Sequence, residues 1–301
     1  MSNRWWIYQK ERFPVFAHGP MVIIFCLSVM LFSSLQEGEI PGLGRVAGAV
    51  ISTLILFFQL RVADEFKDFE IDSRYRPHRP VPSGLVTLPE LGRLAWIGAA
   101  IQFYVAVSID IGLVPLLLLV WLYMGLMTKE FFAPEWLKKT PSVYLLSHML
   151  VMPLIAFYVS AFDWLCDCRQ MPTGLGWLLL LSFGCGLVLE LGRKIKTPGA
   201  ERQGVETYSA LWGTGVSVSI WAASVAMTVV AYSRAAELIT GSALYVSIGT
   251  GTVVLSVSMI VALLFRTNVE HPGTGKLIEP VSGVVAMLLY LGLGPLQALL
   301  V

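Results

Sequence analysis

Between positions 64 and 84 the chain reads Asp64-Glu65-Phe66-Lys67-Asp68-Phe69-Glu70-Ile71-Asp72-Ser73-Arg74-Tyr75-Arg76-Pro77-His78-Arg79-Pro80-Val81-Pro82-Ser83-Gly84, directly after an apolar run long enough to cross a bilayer. Asp64, Asp68 and Asp72 recur at every fourth position. If the preceding helix continues through them, each step turns the side chain by only about 40°, and the three carboxylates share one face. Several hard oxygen ligands on one face suit Mg²⁺, which keeps most of its waters and takes one or two carboxylates together with substrate phosphates. Asp64, Glu65, Asp68 and Asp72 are therefore the candidate metal ligands, and Arg76 and Arg79 just downstream suit the phosphates. A plain stop-transfer signal favours Lys and Arg and requires no fourfold spacing of acids, and acids at a membrane boundary usually face an ion or a cavity.

A second charged stretch, Glu190 to Arg202, follows another apolar run and holds Arg193, Lys194, Lys196 and Arg202 with the acids Glu190 and Glu201. These cations could neutralise a diphosphate directly. Between the two stretches His148 stands beside Ser147 near the start of an apolar segment, where it is a candidate for acceptor deprotonation or for quenching a carbocation.

The elements that must position these groups follow from composition. Of 301 residues, 56% are apolar and 14% charged, with mean hydropathy +0.72, which excludes an ordinary soluble domain. Apolar runs of about 20 residues predict nine helices, at 17–35, 44–63, 89–109, 112–128, 142–162, 174–192, 207–232, 243–265 and 279–299. The expected fold is all-α: a polytopic bundle of nine transmembrane helices around a cytoplasm-facing cavity, forming a single domain over 1–301. Eighteen of the 21 Lys and Arg residues fall on one side of this arrangement, leaving only Arg45, Arg169 and Arg234 on the other. The positive-inside bias then places the N-terminus in the cytoplasm and the C-terminus outside, with a bacterial inner membrane as the expected location. The segment before the first apolar run, with Arg4, Trp5, Trp6, Tyr8, Lys10 and Arg12, reads as an interfacial helix. Cys26 and Cys185 lie in apolar runs, and Cys166 and Cys168 are too close together for an unstrained disulfide.

Asp64-Glu65-x-x-Asp68-x-x-x-Asp72 followed by Arg76-Pro77-His78-Arg79-Pro80-x-x-Ser83-Gly84 resembles the first aspartate-rich motif of the UbiA superfamily of intramembrane prenyltransferases. That family has Asn where Asp64 stands and Asp where Glu65 stands. Its second motif is only half matched. Gly204-Val205-Glu206-Thr207 and Gly213 correspond to the trailing part, whereas Arg193, Lys196 and Ala200 stand where the family has aspartates.

The resemblance implies catalytic roles for Asp64, Asp68 and Asp72, and makes Lys129 the counterpart of a family cation near the diphosphate. It also implies Mg²⁺ as cofactor, an isoprenoid diphosphate and a second, unidentified acceptor as partners alongside membrane lipid, and no nucleic acid. Diphosphate binding falls to Arg76, Arg79, Glu190, Arg193, Lys194, Lys196 and Arg202. Aromatic faces attract cations, and Phe57, Phe58, Phe69, Tyr104, Phe131, Phe132 and Tyr144 are available to guide a carbocation. Three outcomes stay open: prenyl transfer to an acceptor, cyclisation as in the family's terpene cyclases, and binding or transport of a lipid diphosphate without turnover.

Overall fold

The computed structural model describes residues 3–166, 169–201, 206–239, 243–267 and 277–300, and every regular element among them is helical. In chain order these are α1 (Arg4–Arg12), α2 (Val15–Ser34), α3 (Leu43–Tyr75), α4 (Leu88–Ile109), α5 (Leu113–Thr128), α6 (Pro134–Lys139), α7 (Pro141–Met149), α8 (Val151–Trp164), α9 (Leu175–Lys194), α10 (Tyr208–Trp212), α11 (Thr214–Ala236), α12 (Ala243–Thr267), α13 (Ile278–Leu293) and α14 (Pro295–Ala298). Among the described residues eight segments are long and apolar enough to cross a membrane: α2, α3, α4, α7 with α8, α9, α11, α12 and α13 with α14. The expected span at 112–128 is α5, whose 16 residues fall short of the roughly 20 that a straight crossing takes.

Four expected boundaries move, each for a local reason. The helix expected at 44–63 continues unbroken to Tyr75; at about 1.5 Å per residue it carries the acidic block well past the apolar layer. The helix expected at 142–162 is divided at Leu150 into α7 and α8. The helix expected at 207–232 is divided at Gly213, whose φ of 80° belongs to the left-handed region that glycine enters without a Cβ clash. At the far end Gly294 and Pro295 separate α13 from α14.

Apolar contact with lipid tails gives helices little reason to prefer one another, so close approach through small residues and buried polar links set their positions. A Cβ on Gly192 of α9 would lie 2.1 Å from the Ser282 hydroxyl of α13, and one on Gly184 would lie 2.2 Å from Thr228 of α11. Ser282 Oγ accepts from Trp221 Nε1 at 2.9 Å and donates to the Ile278 carbonyl at 2.7 Å, tying α11 and α13 beside Gly192. These contacts place the charged end of α9. On α3 the Ser52 hydroxyl meets Tyr158 OH at 3.0 Å, the Ser52 carbonyl accepts from Gln102 at 2.9 Å, and Gln102 in turn accepts from Trp121. One chain of polar contacts thus positions α3 against α4, α5 and α8.

Candidate active site at the charged end of the bundle

Because α3 remains helical through Tyr75, its acidic block wraps around the axis in a definite order. Taking Asp64 as origin and about 100° per residue, Lys67 lies near −60°, Asp68 near +40°, Asp72 near +80° and Glu65 near +100°. The block is thus a band with a lysine on one flank, Asp64 and Asp68 in the middle, and Asp72 and Glu65 on the other flank.

The Asp72 and Glu65 flank faces arginines. Helix α1 starts where the Asn3 side chain accepts from the Trp5 amide, and its buried Tyr8 packs with Val62, Val81, Val86 and Leu91. Burial and the nearby Glu65 carboxylate both push the Tyr8 phenol upward, so it stays neutral. Helix α1 is anchored at both ends. Arg4 reaches Glu90 at 2.7 Å, where Glu90 also caps α4 by accepting from the Thr87 amide, and Arg12 Nε donates to Glu65 Oε1 at 2.5 Å. Asp72 accepts from Arg76 Nη1 at 2.8 Å and Arg79 Nη1 at 2.5 Å, with Arg12 Nη2 at 3.8 Å. Glu65 and Asp72 are each only 2% exposed. Of the four carboxylates expected to hold a metal, these two are neutralised by protein cations, and the two arginines expected to meet phosphate hold Asp72.

The middle of the band is open. Asp64 is half exposed and pairs with Arg61 at 3.3 Å, while also interacting electrostatically with Asp68 and with Arg193 of α9. Asp68 is half-buried and makes no ion pair or hydrogen bond to another described residue. Mg²⁺ needs only one or two carboxylates when phosphate and water complete its shell, so Asp64 and Asp68 fit a single ion. Among the described residues no three Asp, Glu, His or Cys side chains converge into an all-protein cation site. On α9 the place of a second acidic motif is cationic. Glu190 holds Arg193 through Oε2 at 2.6 Å and Lys194 through Oε1 at 2.9 Å, leaving the Arg193 side chain 52% exposed. Lys194 also lies 5.7 Å from the Tyr144 ring and 5.5 Å from the Tyr208 ring. Burial, and secondarily the Glu190 carboxylate, push the Tyr208 phenol upward, so it remains a neutral platform.

The other expected site residues disperse. Lys196 reaches Glu279 of α13 at 2.9 Å, Glu201 accepts from Thr207 and Ser209 and so braces its own loop, and Arg202 lies outside the described residues. Lys129 is exposed at the end of α5. Of the aromatic candidates, Phe57 packs on Phe25 and Phe58 on Phe13, while Tyr104 and Phe132 are 72% and 77% exposed.

On the Lys67 flank stand Tyr144 and His148, both named from the sequence, together with Lys67 and Glu130, to which sequence reasoning gave no role. Lys67 Nζ pairs with Glu130 Oε1 and donates to Tyr144 OH at 2.7 Å. His148 stacks on Tyr144 with ring centres 3.9 Å apart, and its Nδ1 donates to the Tyr144 carbonyl at 2.9 Å. Glu130, Phe131 and Phe132 all have positive φ, at 49°, 51° and 59°. For non-glycine residues this costs roughly 1–2 kcal/mol each, and such strain concentrates where a side chain must be aimed. The available signal was Lys67 itself, a lone cation inside an acidic helical band whose partner had to come from elsewhere.

A family model, that of the UbiA prenyltransferase family, matches residues 22–274. The chain belongs to this family. It is 25% identical over 194 residues to a digeranylgeranylglyceryl phosphate synthase of Methanopyrus kandleri, a match covering 64% of this chain and 66% of that protein. The match thus spans just under two thirds of the relative's length. Two solved UbiA homologues share the fold. One, from Aeropyrum pernix K1, has TM-score 0.69 at 15% identity, covering 91% of this chain and 96% of that one. The other, from Archaeoglobus fulgidus and bound to GPP and Mg²⁺, has TM-score 0.61 at 11% identity, covering 95% and 98%. The UbiA assignment agrees with the membrane-spanning helices and with the acidic band at the end of α3.

Proposed function

We propose that this UbiA-family chain is a Mg²⁺-dependent intramembrane prenyltransferase that ionises an isoprenoid diphosphate at the cytoplasmic end of the bundle and transfers the prenyl group to an acceptor. The observation that carries this reading is the placement of Asp64 on α3, one turn before Asp68, within electrostatic reach of Arg193 on α9, where Glu190 also holds Lys194. The GPP and Mg²⁺ bound by the Archaeoglobus homologue support the substrate class.

Asp64 and Asp68 would hold one Mg²⁺, which when bound supplies positive charge at the diphosphate oxygens. Arg193 and Lys194, preset by Glu190, add fixed positive charge where the leaving group becomes more negative as the allylic C–O bond breaks. The apolar helices keep water from the allylic centre. Arg76 and Arg79 act one step back, holding Asp72 and through it the loop after α3.

Arg193→Ala is expected to weaken diphosphate binding by about tenfold, the equivalent of one charge-assisted hydrogen bond. Equilibrium binding of inorganic diphosphate to the purified chain in nanodiscs measures it, and an unchanged Kd removes Arg193 from the site. The proposed activity itself is tested by diphosphate release from a series of prenyl diphosphates of increasing chain length, with and without Mg²⁺, followed by mass spectrometry of the extracted lipids. Metal-dependent release with a prenylated product supports transfer. Binding without release converts the protein to a lipid-diphosphate binder.

A further inference from the structure

We propose that this chain works with one divalent ion. The α9 half of the site, where the family has a second set of aspartates, meets the diphosphate with side-chain cations and takes no metal. The inference rests on the prenyltransferase reading above and specifies how that same site holds its substrate.

The acids of the second charged stretch are committed to other partners. Both oxygens of Glu190 are engaged, Oε2 by Arg193 Nε at 3.2 Å and Nη2 at 2.6 Å, and Oε1 by Lys194 Nζ at 2.9 Å. Glu201 accepts from the Thr207 hydroxyl on both oxygens, at 2.7 Å each, and from the Ser209 hydroxyl at 2.8 Å. Ser209 Oγ in turn accepts from the Lys196 amide at 2.9 Å, so Glu201 serves the turn that follows α9. Glu206 is exposed, and no three Asp, Glu, His or Cys side chains gather around it among the described residues. The residues at this end of α9 therefore do not fit a second metal ion.

They fit an anion instead. Arg193 and Lys194 outnumber the one carboxylate they share, which leaves the end of α9 positive. Arg193 turns its Nε and Nη2 toward Glu190, while Nη1 has no hydrogen-bond partner among the described residues and the side chain is half exposed. A guanidinium held on one edge and open on the other is set to bind phosphate oxygens. A second dication placed here would stand against two like charges, with the nearest carboxylate already taken. On α3 the balance is reversed. Asp64 and Asp68 are the open groups, and Arg193 acts on Asp64 from across the site. Lys196, which also stands where the family has an aspartate, is drawn away to Glu279 of α13.

The test counts ions. The full chain in nanodiscs is titrated with Mn²⁺ by electron paramagnetic resonance, with geranyl thiodiphosphate as a probe whose C–S bond resists ionisation. Wild type is expected to bind a single ion per chain, and Asp68→Ala to lose it. The probe is also expected to bind in EDTA, with a Kd within about tenfold of that in Mg²⁺, because Arg193 and Lys194 hold it without metal. In EDTA, Arg193→Ala is expected to weaken it by roughly a further tenfold. Arg193→Asp combined with Lys196→Asp places carboxylates at two of the family's aspartate positions, and uptake of a second ion by this variant supports the proposal. Two ions bound by wild type, or loss of probe binding in EDTA, overturns the proposal while leaving prenyl transfer standing. Absence of metal-dependent release from geranyl diphosphate overturns the prenyltransferase reading and this proposal with it. If a variant fails to fold, the wild-type ion count decides.

Discussion

Asp68→Ala is expected to lower metal-dependent diphosphate release by about a thousandfold, at the upper end for removal of one group that stabilises a charged transition state. Stability should hardly move, because Asp68 is half-buried and makes no ion pair or hydrogen bond to another described residue; substitutions of that kind stay within about 0.5 kcal/mol. A thermal melt and a Mn²⁺ titration by electron paramagnetic resonance complete the comparison. The expected pattern is an unchanged melt with loss of ion affinity. Full activity with intact Mn²⁺ binding would remove Asp68 from the metal site. Asp72→Ala should behave differently, although it is the third member of the same repeat. It would strip the acceptor from Arg76 and Arg79 and unsettle the loop that follows α3, so a loss of activity there would come with a lowered melt.

Arg12→Ala is the second large effect. Glu65 is 2% exposed and Arg12 is its ion-pair partner at 2.5 Å. Removing one member of a buried pair leaves an uncompensated charge and typically costs about 3–5 kcal/mol, which for a chain of this size corresponds to a fall in melting temperature of roughly 5–10 °C. The double variant Arg12→Met with Glu65→Leu is expected to recover most of that loss, since removing both partners of a buried pair is close to neutral. A melt unaltered by Arg12→Ala would show that the Arg12–Glu65 pair contributes little to the fold. If the double variant is as unstable as the single, Arg12 acts chiefly on Asp72. Helix α1 thus neutralises one flank of the acidic band, which leaves Asp64 and Asp68 as the open carboxylates.

The features that were legible in the sequence are those governed by neighbours along the chain. Apolar runs read as membrane helices because the cost of leaving backbone polar groups in hydrocarbon is met within each helix. The fourfold recurrence of Asp64, Asp68 and Asp72 read as one face because helical rotation is a local property, and α3 indeed continues through all three. The motif after them, from Arg76 to Gly84, read correctly as belonging to the UbiA family. Glycines were less transparent: Gly213 ends α10 by its φ, whereas Gly192 admits the Ser282 hydroxyl of α13, and nothing adjacent to either residue separates the two uses.

Only the tertiary structure decided which charge meets which. Glu65 and Asp72 differ little from Asp64 and Asp68 in type or spacing, yet the accumulated rotation of about 40° per step carries Asp72 around to the side where Arg12 arrives from α1. Lys67 finds Glu130 across 63 positions and Arg12 finds Glu65 across 53, through helices brought side by side by small-residue packing and buried polar links. Hydropathy and periodicity describe each helix against the membrane; they contain no term for the neighbouring helix. The partition of the charged residues into an open carboxylate pair, an arginine-held pair and a Lys67–Glu130 pair is therefore a property of assembly, because each ion pair is set by a distance between elements that the local sequence does not encode.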